Sequence, residues 1–177
     1  MKTINNYINE KLNLSTKYTC KPKDEKELKE IIEERLEEDK DANLNDIDIS
    51  DIKDMSWLFY GFDPHNINIS EWDVSNVTDM NYMFAYCENF NCDLSNWDVS
   101  NVKYMSSMFY KCENFNCDLS YWDVSKTTNI DFMFYDCKNF NSDISEWDVS
   151  NVEDMGFMFI GCTSLKNKPK WYNENNK

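Results

Sequence analysis

Trp72, Trp97, Trp122 and Trp147 stand 25 residues apart, and that spacing brings the rest of the chain into register. The copies read EWDVSNVTDMNYMFAYCENFNCDLS, NWDVSNVKYMSSMFYKCENFNCDLS, YWDVSKTTNIDFMFYDCKNFNSDIS and EWDVSNVEDMGFMFIGCTSLKNKPK. A divergent copy, DIDISDIKDMSWLFYGFDPHNINIS, leads them with Ile47 at the Trp position. Gapless self-similarity at a period between about 20 and 50 residues means that one supersecondary unit is repeated. Such a unit has an apolar face that only a stacked neighbour can bury.

The apolar spacing within one copy suggests what that unit is. Leu94, Trp97 and Val99 follow L-x-x-L-x-L, a strand signature. Val102, Met105, Met108, Phe109 and Cys112 are then spaced as one stripe of a 3.6-residue period. Ser100 stands at the expected N-cap, Ser150 and Glu153 form an S-x-x-E capping box, and Phe115 closes the return. The spacing therefore predicts an α/β fold: a leucine-rich-repeat solenoid of about five strand-helix repeats with an N-terminal capping helix. The division expected is an N-terminal cap over 1–46, a solenoid over 47–165, and a C-terminal cap and tail over 166–177. Within the first part, segment 24–39 places Leu28, Ile31, Ile32 and Leu36 on one face and Glu and Lys on the other. Ile4, Tyr7, Ile8, Leu12 and Leu14 thread the opening residues and predict a further short helix and strand. Trp171 and Tyr172 are expected to fold over the last repeat.

Charge narrows the function. The net charge of -15 opposes direct nucleic-acid binding, which needs clustered Lys and Arg. One Arg (Arg35) and one His (His65) exclude a multi-His metal site. No apolar run approaches the roughly 20 residues that span a bilayer. The opening MKTINNYINEKLNL lacks a signal-peptide core, so a cytoplasmic location is expected, with reduced thiols.

The motif W-D-V-S-N-V-x-x-M-x-x-M-F-x-x-C-x-x-F-N-x-D-L-S resembles the 25-residue repeat of the BspA-like leucine-rich repeat family of bacterial surface proteins and Mycoplasma-type lipoproteins. The resemblance covers residues 47–165, and the lead-in LNDIDISDIKDMSWLF is similar to that family's N-terminal cap. It implies a curved solenoid and, as one role, surface association or adhesion.

Few side chains invite a chemical role. Cys87, Cys112, Cys137 and Cys162 share one repeat position with Phe62 and read as a buried ladder. Cys92 and Cys117 share another with Ile67 and Ser142, and neither set has the geometry of a zinc site. His65 replaces the repeat Phe and reads as a turn residue, and no nucleophile can be assigned to it. Met80, Met83, Met105, Met108, Met155 and Met158 read as core. Asn66, Asn91, Asn116 and Asn141 read as a ladder satisfying return turns. No cofactor and no metal is expected.

The acidic columns are different. Asp48, Asp73, Asp98, Asp123 and Asp148 lie between an inward Trp (Ile47 in the leading copy) and an inward Val or Ile, so they point outward. Beside them run Glu71, Tyr121 and Glu146. The column serves either local backbone hydrogen bonds or a partner; a row of calcium ions is a third reading, weakened by the lack of Gly-rich ligand loops. The function expected is a non-enzymatic protein-interaction module binding a basic protein through an acidic concave face. Aromatics, Tyr121 on that face and Tyr60, Tyr110 and Tyr135 on the helical side, add contact surface. The alternatives are an intracellular inhibitor, of phage origin for example, that mimics nucleic acid, and a surface adhesin. No membrane partner is expected.

Overall fold

The computed structural model describes residues 18–62, 64 and 67–173. The apolar thread Ile4 to Leu14, His65 and Asn66 lie outside the described residues.

One helix forms. Helix α1 spans Glu25–Glu38, with Asp24 as N-cap accepting from the Glu27 N–H, and the Asp39 N–H donating to Arg35 O. Acidic Glu25 and Glu27 face the positive end of the helix dipole, and Arg35 lies in the last turn. Leu28, Ile32 and Leu36 are buried. Arg35 grips Asp46 with both guanidinium nitrogens, at 2.5 and 3.1 Å, which ties α1 to the first repeat.

The repeats themselves are stacked layers built from turns: 47–71, 72–96, 97–121, 122–146 and 147–171. Within a layer the chain turns repeatedly. Trp72 N–H donates to Ile69 O where the second layer begins, and within that layer Val77 donates to Val74, Met83 to Met80, Ala85 to Tyr82, Cys87 to Phe84 and Phe90 to Cys87. Between layers the remaining N–H groups of the M-x-x-M-F-x-x segment point toward the next repeat. Met55, Trp57, Phe59 and Gly61 donate to Asp79, Asn81, Met83 and Ala85, and each later pair of layers repeats the pattern. Turn bonds and layer bonds alternate along the segment, so its backbone donors are accounted for without regular secondary structure. Isolated parallel bridges join Asp54, Asp79, Tyr104, Asn129 and Asp154 in sequence.

The expected α/β leucine-rich-repeat solenoid is therefore corrected. Among the described residues there is no repeat helix and no sheet; the only contacts of strand type are isolated bridges. The 3.6-residue stripe was a period of about three, produced by successive turns that each return an apolar residue to the interior. Two backbone sites in every layer exclude a helix there. Trp57, Tyr82, Ser107, Phe132 and Phe157 occupy the left-handed region, as do Gly61, Tyr86, Lys111, Asp136 and Gly161. Likewise Ser150 is no helix cap: its N–H donates to Asp148, and the Glu153 N–H crosses to Thr128 O. The L-x-x-L-x-L triad lies inside a turn, Trp97 N–H to Leu94 O.

The interior is a set of columns. Trp72, Trp97, Trp122 and Trp147 are buried, and each indole N–H donates to a carbonyl 28 residues back (Leu44, Ile69, Leu94 and Leu119). Trp171 continues this column, donating to Ile144 O and stacking on Trp147 at 6.3 Å. Phe59, Phe84, Phe109, Phe134 and Phe159 stack with centroids 5.3 to 5.9 Å apart. The thiols of Cys87, Cys112, Cys137 and Cys162 each donate to a Phe carbonyl one layer back, at 2.9 to 3.0 Å. Burial pushes the Cys162 thiol up to about 12 and the Cys137 thiol well above its usual value.

Candidate interaction surfaces

Two kinds of outward residue recur in every layer, and the backbone at each explains its direction. The first kind is acidic. Asp48, Asp73, Asp98, Asp123 and Asp148 alternate with inward residues, and each Oδ1 accepts the N–H of the Ser two residues on, at 3.0 to 3.2 Å. This is the Asx-turn, in which a short carboxylate replaces a backbone carbonyl. Asp93, Asp118 and Asp143 do the same for Ser95, Ser120 and Ser145. Asn43 and Asn68 occupy this second column in the first repeats and serve the same bond.

These bonds favour the charged form. Ser hydrogen bonds hold the Asp123, Asp143 and Asp148 carboxyls below the usual range, and Asp93 and Asp118 likewise. Asp93 and Asp143 act on Asp118 in the opposite sense, as like charges in one column must. Asp73, Asp98, Asp123 and Asp148 are exposed, and no Lys or Arg among the described residues lies within ion-pair distance of them. Asp48 differs: it is half-buried and pairs with Lys21 at 3.4 Å. Glu71, Tyr121 and Glu146 are exposed on the same stretch of each layer, Tyr121 at 86%. The sequence-expected residues thus share one run of chain and face solvent, with Asp48 partly neutralised.

The second kind is aromatic, and most of it escaped the sequence reading. Tyr60, Tyr110 and Tyr135 were expected outside, on a helix. The left-handed turns instead gather Trp57, Tyr82, Tyr86, Phe132 and Phe157 with them. Trp57 stacks on Tyr82 at 4.1 Å, and Tyr60 meets Tyr86 at 5.4 Å. The contact continues from Tyr86 to Tyr110 at 5.4 Å and from Tyr110 to Tyr135 at 4.9 Å. Phe132 meets Phe157 at 4.9 Å. The Lys111 ammonium lies over both Tyr86 and Tyr110, at 5.2 and 5.7 Å from the ring centres. A groove of about 250 Å³ runs between Tyr60, Tyr82, Tyr86, Ser107, Tyr110 and Phe132. The available signal was the aromatic character of the variable positions in M-x-x-M-F-x-x-C, which a helical period scatters around the helix.

Among the described residues no cluster of three His, Cys, Asp or Glu side chains is arranged to hold a metal ion, and no helix is long and apolar enough to cross a membrane.

Comparison with protein families matches residues 26–134 and 105–177 to the family described as Mycoplasma protein of unknown function, DUF285. Neither curated proteins nor solved structures yield a match. The matched family is distinct from the BspA-like leucine-rich repeat family, so the resemblance drawn from the W-D-V-S motif is corrected together with the solenoid it implied. The two matches together cover residues 26–177, all five repeats and all of α1 but Glu25, so the chain belongs to the family of Mycoplasma proteins of unknown function designated DUF285.

Proposed function

We propose that the protein is a non-enzymatic interaction module that engages a basic protein surface through its acidic columns. The observation that carries this reading is the state of Asp73, Asp98, Asp123 and Asp148: exposed, with no Lys or Arg within ion-pair distance among the described residues, Lys126 acting on Asp123 only from further off. Such a strip speeds encounter with a basic partner and makes binding sensitive to salt. The four thiols that donate to Phe carbonyls use the reduced S–H, which suits a cytoplasmic setting.

The test is the combined variant Asp73→Asn, Asp98→Asn and Asp123→Asn. Asn already serves the same turn at Asn43 and Asn68, so the variant should keep its melting midpoint. A basic protein captured from the native host at low salt should be released as salt rises, and the variant should capture it poorly. Equal capture by the variant with the same salt profile would show that the columns are not the site.

A further inference from the structure

The stack has a polarity that the acidic columns do not use. In the M-x-x-M-F-x-x segment the peptide groups of successive layers are hydrogen-bonded head to tail. One column runs from the Met55 N–H through Met80, Met105 and Ile130 to the Asp154 carbonyl, with bonds of 2.8 to 3.0 Å. Three more start at Trp57, Phe59 and Gly61 and end on the carbonyls of Gly156, Met158 and Ile160, with bonds of 2.7 to 3.2 Å. A column through Thr78, Lys103, Thr128 and Glu153 runs the other way. Aligned peptide dipoles sum as they do along a helix, and the positive end lies on the last unsatisfied N–H groups. These belong to Met155, Phe157, Phe159 and Gly161, for which no acceptor stands among the described residues. Phe157 and Gly161, at φ of 54° and 79°, are left-handed, and turns of this kind gather N–H groups into anion-binding concavities.

What such a row accepts is narrow. Along the edge of an ordinary strand both N–H and C=O groups project, so a strand laid here would set N–H against N–H. The row needs acceptors alone. The first layer offers such a carbonyl row, but α1 lies across that end, with Glu25, Lys26 and Lys29 beside Asp54, Ser56 and Leu58. A second copy stacked head to tail would therefore meet a helix. Anionic oxygens remain, and charge at this end favours them. Lys166, Lys168 and Lys170 are exposed where the layer before carries Asn141, Asp143 and Ser145. These three lysines offset Asp148, Glu153 and Asp154 in the last layer, whereas residues 72–96 hold four acids and no lysine. Asp154 is itself engaged on the Gly156 N–H. The Lys168 ammonium lies 5.8 Å from the Tyr172 ring centre, and that ring packs on Phe159 at 4.9 Å, so the lysines adjoin the row. At physiological salt charges are screened beyond about 8 Å, so the acidic columns further along the stack act weakly here. Carboxylates suit the row better than phosphates. Asp oxygens already satisfy turn N–H groups in every layer of this chain. A phosphate chain carries a charge on every unit, whereas an extended peptide with acids at alternate residues sets its carboxylates on one face at the two-residue period of the donors.

We propose that the C-terminal end of the stack binds an extended acidic peptide, whose carboxylates accept from the N–H groups of Met155, Phe157, Phe159 and Gly161 beside Lys166, Lys168 and Lys170. The probe is a labelled peptide of alternating Glu and Ser, followed by anisotropy at physiological salt and by the amide resonances of the full chain. Two other probes accompany it: the same peptide with Gln in place of Glu, and inorganic polyphosphate. The Glu peptide should bind and shift the four row amides, while Met55, Trp57, Phe59 and Gly61 at the far end hold their positions. With the peptide at ten times its Kd, the row amides should exchange about tenfold more slowly. The variant Lys166→Gln, Lys168→Gln and Lys170→Gln should weaken binding on the order of tenfold. Should that variant fail to fold, Lys168→Gln alone serves in its place. The triple Asp→Asn variant of the acidic columns should bind this peptide undiminished, which separates the two surfaces. No binding of the Glu peptide, equal binding of the Gln peptide, tighter binding of polyphosphate, or binding that leaves the four row amides unmoved would each overturn the proposal.

Discussion

At the scale of single residues, the Asx-turn couples charge to folding. Oδ1 of Asp118 and Asp143 accepts a Ser N–H, and each carboxyl is held below its usual range by that bond. A carboxyl whose pKa is lowered on folding stabilises the native state above the unfolded value of about 3.9, and that stabilisation is lost as pH falls through the folded value. Asp79 and Asp131 run the other way: burial raises both, so protonation favours the folded chain there. The lowered group is the larger, with Asp46, Asp48, Asp93, Asp118, Asp123, Asp143 and Asp148 in it. The melting midpoint should accordingly hold steady from neutral pH to about pH 5 and fall below about pH 4. The variant carrying Asp93→Asn, Asp118→Asn and Asp143→Asn keeps the turn but removes three of these titrations, so its acid decline should be shallower. An unchanged acid decline would mean that the turn bonds do not distinguish the charged form.

At the scale of the repeated element, the M-x-x-M-F-x-x-C segment shows what could and could not be read in advance. Its period of 25 residues, its inward Met, Phe and Cys, and the outward Asp of W-D-V were all legible, because burial alone sets them. Its backbone was not. Successive turns return an apolar residue about every three positions, which is too close to 3.6 for spacing to separate. Left-handed φ is signalled in sequence by glycine or asparagine, yet the positions carry Trp57, Tyr82, Tyr86, Ser107, Lys111, Phe132, Asp136 and Phe157. The two glycines in the series give a contrast within one protein. A Cβ on Gly61 would meet nothing within 4 Å, whereas one on Gly161 would come within 2.0 Å of Asp136 Oδ1 and 2.9 Å of its Cα. Gly61→Ala should therefore show only the left-handed cost, roughly 1–2 kcal/mol. Gly161→Ala should cost distinctly more, since Asp136 backbone must move with its side chain. Equal losses in chemical denaturation would show that the last two layers are looser than their contacts indicate.

At the scale of the whole molecule, a stack with directional bonds has two unlike ends. In the M-x-x-M-F-x-x segment the backbone-to-backbone layer bonds run from an N–H to a carbonyl one layer toward the C-terminus, whereas just ahead of it the Thr78, Lys103, Thr128 and Glu153 N–H groups donate one layer toward the N-terminus. The first layer therefore leaves carbonyls facing outward, and α1 lies across that end: Glu25, Lys26 and Lys29 border Asp54, Met55, Ser56 and Leu58. The last layer leaves donors. Ile130, Phe132, Phe134 and Asp136 donate to Asp154, Gly156, Met158 and Ile160. Among the described residues nothing accepts from the equivalent N–H groups of Met155, Phe157, Phe159 and Gly161. Tyr172 packs edge-on against Phe159 at 4.9 Å and Trp171 prolongs the Trp column, so side chains cover part of this end, while among the described residues no acceptor meets the donor row. Open rows exchange their amide hydrogens readily, and protection grows with each neighbour that must be lost first. Hydrogen exchange of the dilute protein should therefore find Met155, Phe157, Phe159 and Gly161 fast. Ile130, Phe132, Phe134 and Asp136 should be slower, and Met105, Ser107, Phe109 and Lys111 slower still. If the four terminal amides exchanged as slowly as those of the middle layers, the donor row would have to be paired in solution, and the C-terminal end would be an interface rather than an edge.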